Sequence, residues 1–132
     1  MLKRLEVQTT SRVQLVDITS HVKSFLRSED ISSGIITIYV PHTTCGITIN
    51  ENVDPSVRED ITAVLGRLVP HGADYRHAEG NADAHIKASL IGSSVTVIAE
   101  SGTLILGTWQ RILFFELDGP RRRSIFVRII SD

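Results

Sequence analysis

Apolar residues run along this chain in two rhythms. Alternating or unbroken runs of Val, Ile and Thr mark strands, and spacings of three and four mark helices. Leu2, Leu5 and Val7 stand among charged neighbours as a loose strand, and Val13 and Leu15 outline a second short one. Val22, Phe25 and Leu26 then share one helical face behind Thr19 or Ser20, either of which suits a cap. After a Ser32-Ser33-Gly34 turn comes GIITIYV, residues 34–40. It is apolar and β-branched almost throughout, so it reads as a strand covered on both faces. Ile47-Thr48-Ile49 makes a shorter strand.

The clearest helix starts at Asp54, a good N-cap, with Pro55 in the first turn where a missing N–H costs nothing. Val57, Ile61, Val64, Leu65 and Leu68 form its apolar stripe, and Pro70 ends it. A loop over 70–80 leads to a third helix. Asn81 is placed to cap it, Ala84, Ala88 and Ile91 lie on one side, and Gly92 stops it. The last forty residues are β in pattern: SVTVIAE, TLILG, TWQRILFFEL and RSIFVRII, with turns at Ser101-Gly102 and Asp118-Gly119-Pro120. Their short connections imply antiparallel pairing. Helices in the middle with strands on either side define an α+β class.

Composition narrows this picture. A chain of 132 residues suits one domain, residues 1–132. It buries roughly 65–70% of its unfolded surface and needs no disulfide. One cysteine allows no intrachain bridge, which favours a reducing compartment. Lys and Arg number 14 against 15 Asp and Glu, so no excess of positive charge marks a nucleic-acid binder. The N-terminal MLKRLEVQTT has no apolar signal core. No apolar run reaches the roughly 18 residues of a membrane span. The expectation is a cytoplasmic globular protein with no nucleic-acid or membrane partner.

Candidate chemistry concentrates in YRHAEGNADAHIK, residues 75–87, which holds His77, His85, Glu79, Asp83, Asn81 and Lys87. Such a run adds little to a core and supplies the groups of a metal or acid–base site. A helix beginning near Asn81 puts His85 one turn in, while His77 lies in the loop approaching it. His42 follows the 34–40 strand directly, and a strand end aims a side chain rigidly. Three neutral imidazoles are a frequent catalytic zinc shell, with Glu79 or Asp83 to orient a ligand or act as base. The same residues read more plainly as a surface loop and a helix with an acidic first turn. No zinc-finger, HExxH or P-loop spacing is present. Without a metal, the histidines, the helix N-terminus and nearby arginines suit a phosphate.

Four further places carry a functional and a plain reading. Glu51 and Asn52 are ligand contacts or loop and capping groups. Trp109 and Gln110 line a pocket, or the tryptophan is core. Arg121, Arg122 and Arg123 clamp an anion or form a solvated face. Cys45 is a nucleophile or an inert buried thiol.

Taken in order, HTTCGITINENVDPSVREDI, the segment from Tyr75 through EGNADAHIKASLIGSS, and GTWQRILFFELDGPRRR resemble the YjbQ-like family, also called the secondary thiamine-phosphate synthase family. The resemblance spans nearly the whole chain. It implies a compact α+β, antiparallel sandwich-like fold, a homotrimer, and a pocket lined by His42, His77 and His85. It also implies a weak thiamine-phosphate synthase activity, joining a pyrimidine pyrophosphate to a thiazole phosphate. On this reading the three histidines hold a divalent metal, zinc or magnesium, or a phosphate. Glu79 and Asp83 are the catalytic carboxylates. Glu51, Asn52, Asn81, Lys87, Trp109, Arg121 and Arg122 bind a phosphorylated small molecule. The alternative is a non-enzymatic trimeric module that binds a metal or a phosphorylated metabolite.

Overall fold

The computed structural model describes all residues from Met1 to Asp132. Its elements in chain order are β1 (Leu2–Gln8), β2 (Gln14–Asp17), α1 (Thr19–Ser28), β3 (Gly34–Tyr39), β4 (Cys45–Glu51), α2 (Pro55–Leu68), α3 (Ala82–Ile91), β5 (Ser94–Glu100), β6 (Thr103–Leu104), β7 (Gln110–Glu116) and β8 (Arg122–Ser131). They form an α+β fold of three helices and two antiparallel sheets. One sheet runs β1-β8-β3-β5-β6 and the other β2-β7-β4. The antiparallel expectation holds, but the last two strands do not pair with each other. β7 joins the small sheet and β8 returns to the large one.

The main core lies between the sheets. Ile36, Ile38, Ile47, Ile112, Phe114, Ile125 and Val127 meet there, and α1 adds Val22, Phe25 and Leu26. Alternation explains the FF pair of β7. Phe114 points into this core, while Phe115 points to the other face of its sheet, where Ala84, Ala88, Ile61 and Leu65 cover it. The helices α2 and α3 therefore lie on the outside of the small sheet. Gly46 permits the approach of α3. A Cβ there would lie 2.8 Å from the Gly92 carbonyl oxygen and 2.8 Å from the Ile91 side chain.

Several boundaries and faces differ from the sequence reading. β3 is buried on one face only, with Ile35 and Tyr39 open on the other. The α2 stripe buries no residue fully, and Val64 and Leu68 are exposed. Its cap is as expected, since Asp54 accepts from the Ser56 N–H at 2.9 Å and Pro55 follows. At α1 the acceptor is Asp17, which takes the Thr19 N–H. The Thr19 hydroxyl accepts from the Ile112 N–H instead. Asn81 stands at the N-cap of α3 but its side chain does not cap. β8 begins inside the arginine run, and TLILG yields only the two-residue β6. No helix is long and apolar enough to cross a membrane.

Candidate functional site

The register of β3 against β8 pairs Tyr39 with Phe126 and, continued by two residues, sets Ser124 opposite Pro41. The chain leaves the ladder there. The Ser124 N–H is met instead by the ring of His42, whose Nε2 accepts it at 3.1 Å. This contact assigns the neutral tautomer with its proton on Nδ1. Burial, then the positive charge of Arg123, hold the His42 pKa below the ordinary histidine value. His42 is therefore a neutral imidazole that offers an N–H.

Strand alternation separates the three arginines. Arg123 faces the inter-sheet core with Ile125, while Arg122 faces out and is exposed. Arg123 is held by Glu116 at the end of β7, with Nη2 donating at 2.6 Å and Nε at 2.9 Å to the two carboxylate oxygens. Thr9 donates its hydroxyl to the same carboxylate, and Arg123 also donates to the Thr44 hydroxyl. Burial alone would raise the Glu116 pKa, but Arg123 and Thr9 more than offset it, so the carboxylate sits below its ordinary range. Arg121 lies just ahead of β8. It donates Nε and Nη2 to Asp118 and keeps Nη1 uncommitted. Gly119 makes this turn possible, because a Cβ there would lie 2.5 Å from the Ser11 carbonyl oxygen.

A polar cavity of about 340 Å³ opens above this pair, and His42, Thr44, Glu79, Asn81, His85, Arg121 and Arg123 line it. Glu116 and Asp118, which neutralise the two arginines, are not on its wall. The Asn81 amide donates to Asp118 at 2.8 Å, which fixes its orientation and leaves Oδ1 buried without a partner. That contact also explains why Asn81 does not cap α3. Glu79 is well exposed at the mouth, 3.6 Å from Nε2 of His77. His77 does not line the cavity. Its ring packs edge to face on His85, with centroids 5.2 Å apart. Two imidazoles, two guanidinium groups and one carboxylate on one wall can bind a small anion and exchange a proton with it.

The remaining expected residues lie elsewhere. Asp83 is fully buried and receives Arg12 at 3.0 Å, His71 at 3.2 Å and Lys87 at 3.4 Å. Burial opposes its ionisation, yet His71 and Arg12 hold its pKa below the ordinary value. Asp83 thus ties α3 to the β1–β2 loop and does not serve the cavity as a catalytic group. Lys87 is bound to Asp83 and buried, so it is not available to a phosphate. Asn52 bridges Asp17 and Arg58, and Glu51 ends β4 six residues from Cys45, about 20 Å along the strand. Trp109 is 58% exposed and is neither core nor cavity wall. Arg122 points away from the cavity. Burial pushes the Cys45 thiol up to about 12, so it is no nucleophile. Sequence reading missed Glu116, Asp118, Arg12 and His71. The one visible signal was a glutamate closing an apolar strand.

The three-histidine metal centre does not form. The Nε2 lone pair of His42 is taken by Ser124, and His77 and His85 stack on each other. No three His, Cys, Asp or Glu side chains gather as a ligand group for zinc or magnesium.

Fold and cavity together define a small two-sheet α+β protein with a polar surface pocket, and solved structures share this fold. A yjbq/upf0047 family protein of Clostridium acetobutylicum superposes with a TM-score of 0.95 at 50% identity, covering 97% of this chain and 99% of that one. The hypothetical protein APE1520 of Aeropyrum pernix also gives 0.95, at 36% identity over 100% of this chain and 99% of its own. The family model described as UPF0047 protein YjbQ-like matches residues 3–132. The chain belongs to this family. It is 52% identical to the UPF0047 protein MJ1081 of Methanocaldococcus jannaschii, over 100% of this chain and 96% of that one. It is 50% identical to the UPF0047 protein YugU of Bacillus subtilis, over 99% and 100%. These relatives bear the family designation alone, and neither is named for thiamine-phosphate synthesis. With no histidine trio to support it, the expected thiamine-phosphate synthase activity on a three-histidine site does not stand.

Proposed function

We propose that the cavity between His42, His85 and Arg121 binds a small organic anion, with a phosphate ester as the expected form. The observation that carries this reading is the separation of charge. Arg121 and Arg123 face the cavity while their carboxylates, Glu116 and Asp118, sit off its wall. His42 adds an N–H donor, and burial first, then the positive charge of Arg123, lower its pKa and keep it neutral. Each arginine commits Nε and Nη2 and leaves Nη1 free, and Arg121 is the more exposed of the two, half open to solvent where Arg123 is buried, so it is the group that clamps an oxyanion. Glu79, at the mouth, is placed to accept a proton or a hydrogen bond from the bound molecule.

Calorimetric titration with inorganic phosphate and with simple carboxylates tests this. Binding by the native protein should weaken about ten- to a hundredfold in Arg121→Ala, the loss of a charged hydrogen bond. Unchanged affinity in that variant, or no binding of any such anion by the native protein, contradicts the reading.

The chain is also proposed to assemble as a homotrimer. Supporting this is a row of isoleucines, Ile130, Ile35 and Ile98, set side by side by the β8-β3-β5 register and open on the outer face of the large sheet.

A further inference from the structure

A second cavity of about 370 Å³ adjoins the first. The two share His42, Thr43 and His85, so these side chains form a common wall between them. The chemistry on the far side is different. Ser89 and Ser93 bring hydroxyls, Ala88 and Cys45 bring small apolar surface, and no carboxylate, guanidinium or ammonium group lines it. We propose that the site is bipartite: the arginine-lined cavity takes the anionic head of the ligand, and the serine-lined cavity takes a neutral, hydroxylated tail.

The polarity of the second cavity selects that tail. Ser89 donates its hydroxyl proton to the His85 carbonyl oxygen at 2.9 Å, so towards a ligand it can only accept. The tail must therefore carry donors. An ammonium group supplies donors, but it finds no carboxylate there to offset its desolvation. A purely apolar tail leaves the hydroxyls of Thr43 and Ser93 without partners. Alcohol groups meet both conditions. The Cys45 thiol, pushed up to about 12, remains a neutral piece of wall. Each cavity lies at the lower end of the ~300–1,000 Å³ typical of small-molecule sites, and a head and a tail together fill such a volume. The ligand class is a hydroxylated organic acid, of sugar-phosphate or sugar-acid type.

This inference rests on the anion reading above, and one titration series separates the two. Inorganic phosphate, ribose 5-phosphate and gluconate are titrated into the native protein, into Ser89→Ala/Ser93→Ala, and into Ser93→Leu, which fills the second cavity. Both serines are exposed, so the variants keep the fold. Ribose 5-phosphate or gluconate should bind the native protein about tenfold more tightly than inorganic phosphate, and whichever does so identifies the head group. That advantage should fall by about three- to tenfold in the double variant, as expected for lost neutral hydrogen bonds, and vanish in Ser93→Leu. Affinity for inorganic phosphate should stay unchanged in both. Phosphate binding with no advantage for either hydroxylated ligand overturns the bipartite site and leaves the anion site intact. An advantage that survives both variants also overturns it. Failure of all three anions to bind overturns both readings.

Discussion

Glu116 and Arg123 meet at the end of the apolar core, and their pairing decides what both can do. Each is almost fully buried, and a charge left there alone is costly. Arg123→Met should lower stability by about 3–5 kcal/mol, read from the urea midpoint, because Glu116 is then buried and unpaired. Replacing both with apolar residues should cost much less; equal losses would mean the pair is not coupled. The carboxylates also set a pH dependence. Glu116 and Asp83 ionise more readily folded than unfolded, so their contribution is complete above the ordinary carboxylate values of 4.5 and 3.8. It is lost as pH falls below them through the depressed folded values. The urea midpoint should hold steady from pH 7 to 5 and fall steeply below. A midpoint flat down to pH 3 contradicts this account. At this scale the sequence was partly legible. His42 and His85 stood out because each sits at an element terminus that aims it. Glu116 did not, because its partner lies on a strand of the other sheet. Asp83 and Lys87 carried a visible i,i+4 spacing, but their burial depends on Arg12, which lies 71 residues away in sequence.

Among the elements, α2 and β7 are opposites. Five residues of β7 are buried, from Ile112 to Glu116, whereas α2 buries none fully. Stability within the fold should follow this. In native-state hydrogen exchange the α2 amides should exchange well before those of β7 and β8. Equal protection would show that α2 is held by contacts this chain does not make with itself. The α3–β4 contact is tighter, and Gly46→Ala should destabilise by about 1–3 kcal/mol through overpacking against Ile91 and Gly92. Element types were readable wherever periodicity was strong, as in α1, α2 and β5, whereas α3 was legible from Asn81 and Gly92 at its ends. Faces were harder to read. The 34–40 run looked buried on both sides because it is apolar on both, and nothing local tells an inward Ile36 from an outward Ile35. The α2 stripe misled for the same reason. Apolar spacing shows which residues share a face, not how deeply the face is covered.

For the whole molecule, the sheet order brings residues 42, 85 and 121 to one cavity, and no stretch of sequence shows that. It also leaves the Ile130-Ile35-Ile98 row uncovered, 49–65% exposed across three strands. If copies pack there, Ile98→Lys should shift sedimentation from trimer to monomer while leaving the far-UV spectrum unchanged. A variant that stays trimeric places the contact elsewhere. On the proposed function, His42 and His85 share one anion site with Arg121. The most direct measurement follows the ring-nitrogen resonances of all five histidines during titration with an anion that binds. The resonances of His42 and His85 should move together and saturate at one concentration, while His21, on α1, stays fixed. Movement of His21 alone, or of all five without saturation, contradicts the claim.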